Sequence, residues 1–356
     1  MLRRDTTPPL AFALIAAVGI GAALLVANGN PGNMGICGAC FLRDDAGALG
    51  LFSEPAKLPI FRPEVLGIVF GALAAVGFRK KFAARSGSYA VTRLVLGVWT
   101  AIGALVFLGC PFRMLQRIGG GDLNAVVGLL GLLAGVGVAV AFEKRGYNVG
   151  KTQVVPAPVG LAGPIMLLVA AGLWFGGNLA GPGPGGDGPP AHAPWMLALA
   201  IAAGAGAVLQ MTGFCAISAC RQVFIAKKTM LIAAAALVLA YAATSLGTGK
   251  FNLGFDGQPA AHGEHLWNFL AMVLVGLCGA FAGGCPVRQL VMTGEGNGDG
   301  FVTVIGLLLG GALAHTLGLA SSGKGATEGG MWAVAIGIGC VLVYAAFTTR
   351  AHRAAA

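Results

Sequence analysis

Apolar residues run along this chain in long blocks, without the alternation that marks a half-buried strand. The blocks cover residues 10–27, 63–78, 91–109, 123–142, 159–177, 194–211, 230–246, 266–284, 300–319 and 331–347. Each approaches the length that a helix needs to cross a hydrocarbon core of ~30 Å. The pattern predicts an all-α polytopic membrane protein with about ten transmembrane helices. Arg3-Arg4 ahead of the first block gives it the look of a signal peptide. No small-x-small cleavage site follows, and its partner in the second half is a span, so the block is read as the first transmembrane helix.

Two blocks close on one phrase: Gly109-Cys110-Pro111-Phe112-Arg113 and Gly284-Cys285-Pro286-Val287-Arg288. Proline suits the first turn of a helix, where its missing N–H is not needed. That places each cysteine at a helix start, among unpaired N–H groups and the positive end of the dipole. The arginine three positions on shares its face. Each phrase reads as a small cationic nest around a reactive sulfur. The Gly-rich stretches that follow, at 119–121 and 294–300, lack the lysine and strand of a phosphate loop and read as turns.

Composition sharpens the class. Of 356 residues, 56% are hydrophobic and 10% charged, against roughly 25% charged in soluble domains. Sixty glycines suit close helix packing in a bilayer. The net charge of +10 is scattered over loops, so membrane topology explains it better than nucleic acid does. With the N-terminus inside, one side holds Arg3, Arg4, Arg79, Lys80, Lys81, Arg85, Arg93, Lys144, Arg145, Lys151, Arg221, Lys227, Lys228, Arg288, Arg350 and Arg353. The other holds Arg43, Lys57, Arg62, Arg113, Arg117, Lys250 and Lys324. The positive-inside rule then puts both termini in the cytoplasm.

The halves align. Met34-Gly35-Ile36-Cys37 and Cys40 match Met211-Thr212-Gly213-Phe214-Cys215 and Cys220, and Cys110 matches Cys285. Counterpart spans are five crossings apart, an odd number, so the second repeat is inverted. Residues 1–156 form the first repeat, 157–193 a linker helix and Pro/Gly-rich outer loop, 194–330 the second repeat, and 331–356 a C-terminal helix and tail. Inverted repeats with broken helices at matching positions point to a transporter or channel. Cys37, Cys40 and Cys110 then approach from outside, and Cys215, Cys220 and Cys285 from the cytoplasm, on short re-entrant segments.

Cys37-Gly38-Ala39-Cys40 has the spacing of redox and zinc motifs, but Cys215 and Cys220 do not keep it. The pairs also enter from opposite sides, against a closed zinc site. Cys278 and Cys340, inside apolar blocks, read as packing residues. Arg113 and Arg288 are costly at membrane depth and are functional suspects, with Arg117 and Arg221 weaker members of the group. His315, inside the ninth block, reads as a packed histidine or a proton relay. No triad, paired-carboxylate or metalloprotease motif is present, so no enzymatic activity, metal or cofactor is expected. Few intramembrane acids argue against a cation cargo. Thiols and cationic nests fit a polarisable anion of sulfur or selenium.

At these residues the chain resembles the YeeE/YedE family of sulfur-transport membrane proteins, closest to its YedE branch, assigned to selenium transport. The resemblance covers nearly the whole chain, through both Gly-Cys-Pro-x-Arg phrases, the Gly-x-Cys segments and the duplicated spans. It implies an hourglass-shaped transporter of the bacterial inner membrane whose constriction carries cysteines. Thiosulfate passes such a constriction by successive hydrogen bonds to thiols. Cys110 and Cys285 match two relay thiols, with Cys215 or Cys220 as the third. The extra Cys37/Cys40 pair is less typical of thiosulfate carriers and favours the selenium-associated branch. Two other functions compete with uptake of a small sulfur or selenium species. One is a membrane thiol-disulfide oxidoreductase using Cys37/Cys40 and Cys215/Cys220. The other is a subunit whose basic cytoplasmic loops dock a soluble sulfur- or selenium-handling protein.

Overall fold

A computed structural model describes residues 7–53, 60–182 and 192–354. Arg3, Arg4, Lys57 and most of the 181–190 loop lie outside these residues, as does the side chain of Arg353. The chain is helical almost throughout, in the order α1 (Pro8–Ala27), α2 (Gly38–Ala48), α3 (Pro63–Phe78), α4 (Ala90–Phe107), α5 (Pro111–Gly119), α6 (Leu123–Lys144), α7 (Ala157–Phe175), α8 (Trp195–Thr212), α9 (Ala216–Val223), α10 (Thr229–Gly247), α11 (His265–Phe281), α12 (Pro286–Gly294), α13 (Gly298–Thr316) and α14 (Glu328–Ala354). Among the described residues the sheet is a single antiparallel pair, β1 (Arg85–Ser86) and β2 (Gln153–Val154).

Among the described residues nine helical segments are long and apolar enough to cross a bilayer. The expected tenth, α3, has 16 residues, or about 24 Å of helix. The chain before it, Ile60-Phe61-Arg62, is itself buried. The helix nevertheless runs the length of α8. Gly67 near its start lies against Leu199 near the start of α8, and Arg79 at its end donates to Gln210 Oε1 (3.4 Å) at the end of α8. Apolar side chains left exposed, such as Leu130, Leu168, Leu239 and Phe347, suit a lipid surface rather than water.

Contacts fix the relative directions of the spans. Gly306 meets Leu94 and Gly310 meets Val98, so α4 and α13 run parallel. Gly131 meets Phe269 and Gly135 meets Val273, so α6 and α11 also run parallel. The end of α4, at Phe107, meets Gly128 near the start of α6, so these two oppose each other. Hence α4 opposes its counterpart α11, as an inverted repeat requires. The halves interlock: α1 packs on α10 and α8 on α3, while α6 packs on α11 and α13 on α4.

Local geometry repeats at a constant offset of 175 residues. Leu108 and Gly283 each turn the chain left-handed (φ +61° and +85°) just before the Cys-Pro step. Gly121 and Gly296 do so again (φ +93° and +85°) after the short helices. Asp122 and Asn297 then cap α6 and α13 through their side chains. The Gly-rich stretches are therefore the turns that let each short helix end at depth and the next span begin.

Candidate functional site

Four short helices begin on a cysteine. Cys37 caps α2, Cys110 caps α5, Cys215 caps α9 and Cys285 caps α12. Pro111 and Pro286 occupy the first helical position, as the phrase requires. The conformations match in pairs. Cys110 has φ −77°, ψ 168° and Cys285 φ −70°, ψ 164°, whereas Cys37 has φ −146°, ψ 130° and Cys215 φ −153°, ψ 130°. Each sulfur therefore sits where backbone N–H groups are unpaired and the dipole is positive.

These four starts meet. Cys37 Sγ lies 3.5 Å from Cys110 Sγ and accepts from the Cys40 N–H at 3.4 Å. Cys215 Sγ accepts from the backbone N–H of Cys285 at 3.2 Å. The halves join at Gly38, where a Cβ would stand 2.6 Å from Pro286 Cβ and 2.7 Å from Val287 N. Only glycine lets the two chains approach this closely there. Phe112 packs edge-on against Phe214, ring centres 6.2 Å apart. The six sequence-predicted cysteines all belong to one buried cluster, with Cys37 and Cys110 in contact in the first repeat and Cys215 and Cys285 in contact in the second. All six are buried, none more than 6% exposed.

The arginines divide. Arg113, 2% exposed, donates to the carbonyls of Asn33 (3.2 Å), Leu108 (2.6 Å), Gly32 (3.0 Å) and Ala260 (3.5 Å), and its Nη1 lies 3.8 Å from Cys40 Sγ. It faces no carboxylate among the described residues, so it is an uncompensated cation beside the thiols. Its counterpart is placed otherwise. Arg288 turns both guanidinium nitrogens onto Glu295 (3.1 and 3.3 Å), so the second cationic nest expected from the sequence is neutralised. The asymmetry follows from position: Glu295 matches Gly120 in the first repeat. Arg117 pairs with Asp122 (2.6 Å) over the Phe107 ring, and Arg221 pairs with Glu143. Neither reaches a thiol.

Ser218, three residues past Cys215, occupies the place of Cys40 in the first repeat, so Cys220 is not the counterpart of Cys40. Cys278 is buried beside Thr100, while Cys340 is exposed on α14. Gln116 was not singled out by the sequence. Its Oε1 accepts from the Ile36 N–H (3.0 Å) and its Nε2 donates to the Ile36 carbonyl, which locks the entry to Cys37 onto α5. A buried glutamine inside the helix that follows Cys-Pro was its only sequence signal. Six acids, Asp44, Asp45, Glu64, Asp122, Glu295 and Asp299, are buried in the protein. Each engages an arginine, amide or backbone N–H that lies distant in the chain or across a turn, which hydropathy cannot register. Among the described residues no group of His, Cys, Asp or Glu is placed to hold a metal ion.

Chemically, the site offers soft, polarisable sulfur atoms, four positive helix ends and one uncompensated guanidinium, all shielded from solvent. Such a set favours an anion with a soft surface. In comparison with known proteins, no protein-family model and no curated protein matches the chain.

Proposed function

We propose that the chain is a transporter of the YeeE/YedE type that takes up a small sulfur or selenium anion, thiosulfate-like in charge and softness. It works in a bacterial inner membrane with both termini in the cytoplasm. The observation that carries the reading is that four cysteine-capped helix starts belong to one buried cluster. An anion leaving water loses hydration, and it regains interactions from S–H groups, N–H groups and helix dipoles arranged along its way. Arg113 supplies the fixed positive charge beside Cys40, and the thiols hand the anion from one sulfur to the next. No bond to the cargo is made or broken. The buried thiols are the barrier, so passage requires the helix starts around Gly38 to part by the width of the anion.

Uptake of labelled thiosulfate, selenite and sulfate into proteoliposomes tests this reading. Soft anions should accumulate and sulfate should not.

The 3.5 Å approach of Cys37 and Cys110 also favours a second reading, a membrane thiol-disulfide oxidoreductase. Its couple would be Cys37/Cys110 rather than Cys37/Cys40. Such an enzyme would trap partner thiols as mixed disulfides and turn them over without moving cargo.

A further inference from the structure

A second polar cluster lies apart from the thiol cluster, where the last turns of α2 meet the start of α3. Asp44 is bound by two guanidinium groups, Arg43 Nη2 (2.7 Å) and Arg62 Nε (2.7 Å). Asp45 and Glu64 have no such partner among the described residues. Asp45 Oδ1 accepts the Arg62 backbone N–H (2.7 Å) and Glu64 Oε1 accepts Asn30 Nδ2 (2.8 Å). Their other oxygens, Asp45 Oδ2 and Glu64 Oε2, are buried without a hydrogen-bond partner. The residues are 3% and 1% exposed.

The charges do not balance. Among the described residues two guanidinium groups, Arg43 and Arg62, stand against three carboxyls, Asp44, Asp45 and Glu64. From α13, His315 Nε2 engages Arg43 Nη1 (3.2 Å). From α12, Arg288 and Glu295 bind each other. Arg93 of α4 holds the Ala282 carbonyl and stands 4.0 Å from Asp299. The helices α7 and α8 carry no acid, base or histidine. A bare carboxylate buried with an empty oxygen is costly, and taking up a proton removes the cost.

We infer that the Asp45 carboxyl, buried with one oxygen unpartnered, is a proton-binding site whose proton travels with the anionic cargo. The inference rests on the transport reading above. With the proton bound, two cations face two carboxylates and the cluster is neutral. With it lost, the cluster carries a further negative charge on the same short helix, α2, that Cys37 caps and that holds Cys40. Proton and anion therefore strengthen each other's binding, and the coupling is reciprocal. Arg62 Nη1, buried and without a partner, is the cation placed to meet a carboxylate when the proton leaves. One proton is bound and one released per cycle, with no other bond changed. A guanidinium inside the cluster, and only two free oxygens, do not suit a sodium ion.

Two measurements on the full chain test this. In the first, infrared spectra of purified protein at about neutral pH should show the carbonyl band of a protonated carboxylic acid. The isosteric Asp45→Asn should remove it. In the second, an inward proton gradient should speed labelled thiosulfate uptake into proteoliposomes severalfold. That acceleration should disappear in Asp45→Asn while exchange of thiosulfate at equal pH persists. Absence of the band in the unmodified chain overturns the proton site without any variant having to fold, and so does a band unchanged in Asp45→Asn. Equal acceleration in the variant, or a sodium gradient replacing the proton gradient, overturns the coupling. If no vesicle takes up any soft anion, the transport reading fails, and the infrared band still decides whether Asp45 holds a proton.

Discussion

Cys37 and Cys110 stand 3.5 Å apart, sulfur to sulfur, although 73 residues separate them. Each is the cap of its own helix, so the contact reports how α2 and α5 are set against each other. Disulfide formation needs the sulfurs to close to about 2.05 Å, a small shift. A chain retaining only these two cysteines should cross-link under mild oxidation, read as a single linked peptide by mass spectrometry. Failure to cross-link would mean that the two helix starts do not meet.

Placement sets the reactivity of the thiols. Cys340 is exposed midway along the apolar α14, on a lipid-facing surface where the reactive thiolate is disfavoured. The six central cysteines are buried, so N-ethylmaleimide should modify all of these slowly in the folded protein. All eight cysteines should react after denaturation. Fast labelling of Cys110 or Cys285 in the folded protein would show that the thiol cluster is open to solvent at rest.

The left-handed step before each Cys-Pro has a stability consequence. Gly283 has φ +85° and no atom within 4 Å of where a Cβ would stand, so a side chain there meets conformational cost alone. Gly283→Ala should destabilise by about 1–2 kcal/mol, seen as a lower thermal midpoint. Leu108 carries that same strain at φ +61°, and Leu108→Gly should relieve it.

The arginines should respond differently to lysine. At Arg113 the planar fork spreads over four carbonyls and reaches Cys40, and lysine cannot reproduce it. Losing one charged hydrogen bond costs about 1.5–3 kcal/mol, so Arg113→Lys should raise the half-saturating concentration of an anionic cargo at least about tenfold. Arg288 faces Glu295, and Arg288→Lys keeps an ion pair, so transport should change little. Equal sensitivity at the two positions would refute this asymmetry.

Much of this was legible in the chain. The repeated Gly-Cys-Pro-x-Arg phrase placed Cys110 and Cys285 at helix starts because proline and glycine constrain the backbone locally. Block lengths gave the spans, and an odd number of crossings gave the inversion. Contacts across the fold were not legible. Nothing in the spacing distinguishes Arg113, among carbonyls, from Arg288, bound to Glu295, since that depends on an acid seven residues along that the first repeat lacks. Counting cysteines paired Cys40 with Cys220, whereas helix position pairs Cys40 with Ser218. The Asp44–Arg62 bond was hidden because sequence places Arg43 and Arg62 only by side of the membrane, and nothing in the spacing joins Asp44 to a residue 18 positions on.

The central claim is that a soft anion crosses along the thiols, and the double substitution Cys110→Ser with Cys285→Ser tests it most directly. Serine keeps the size and a hydrogen-bond donor but is less polarisable. Initial rates of labelled thiosulfate and selenite uptake should be compared in proteoliposomes carrying equal amounts of folded protein. The account predicts that the double variant loses most uptake of at least one of these cargoes, which the unmodified chain transports. Undiminished uptake by the double variant would contradict it.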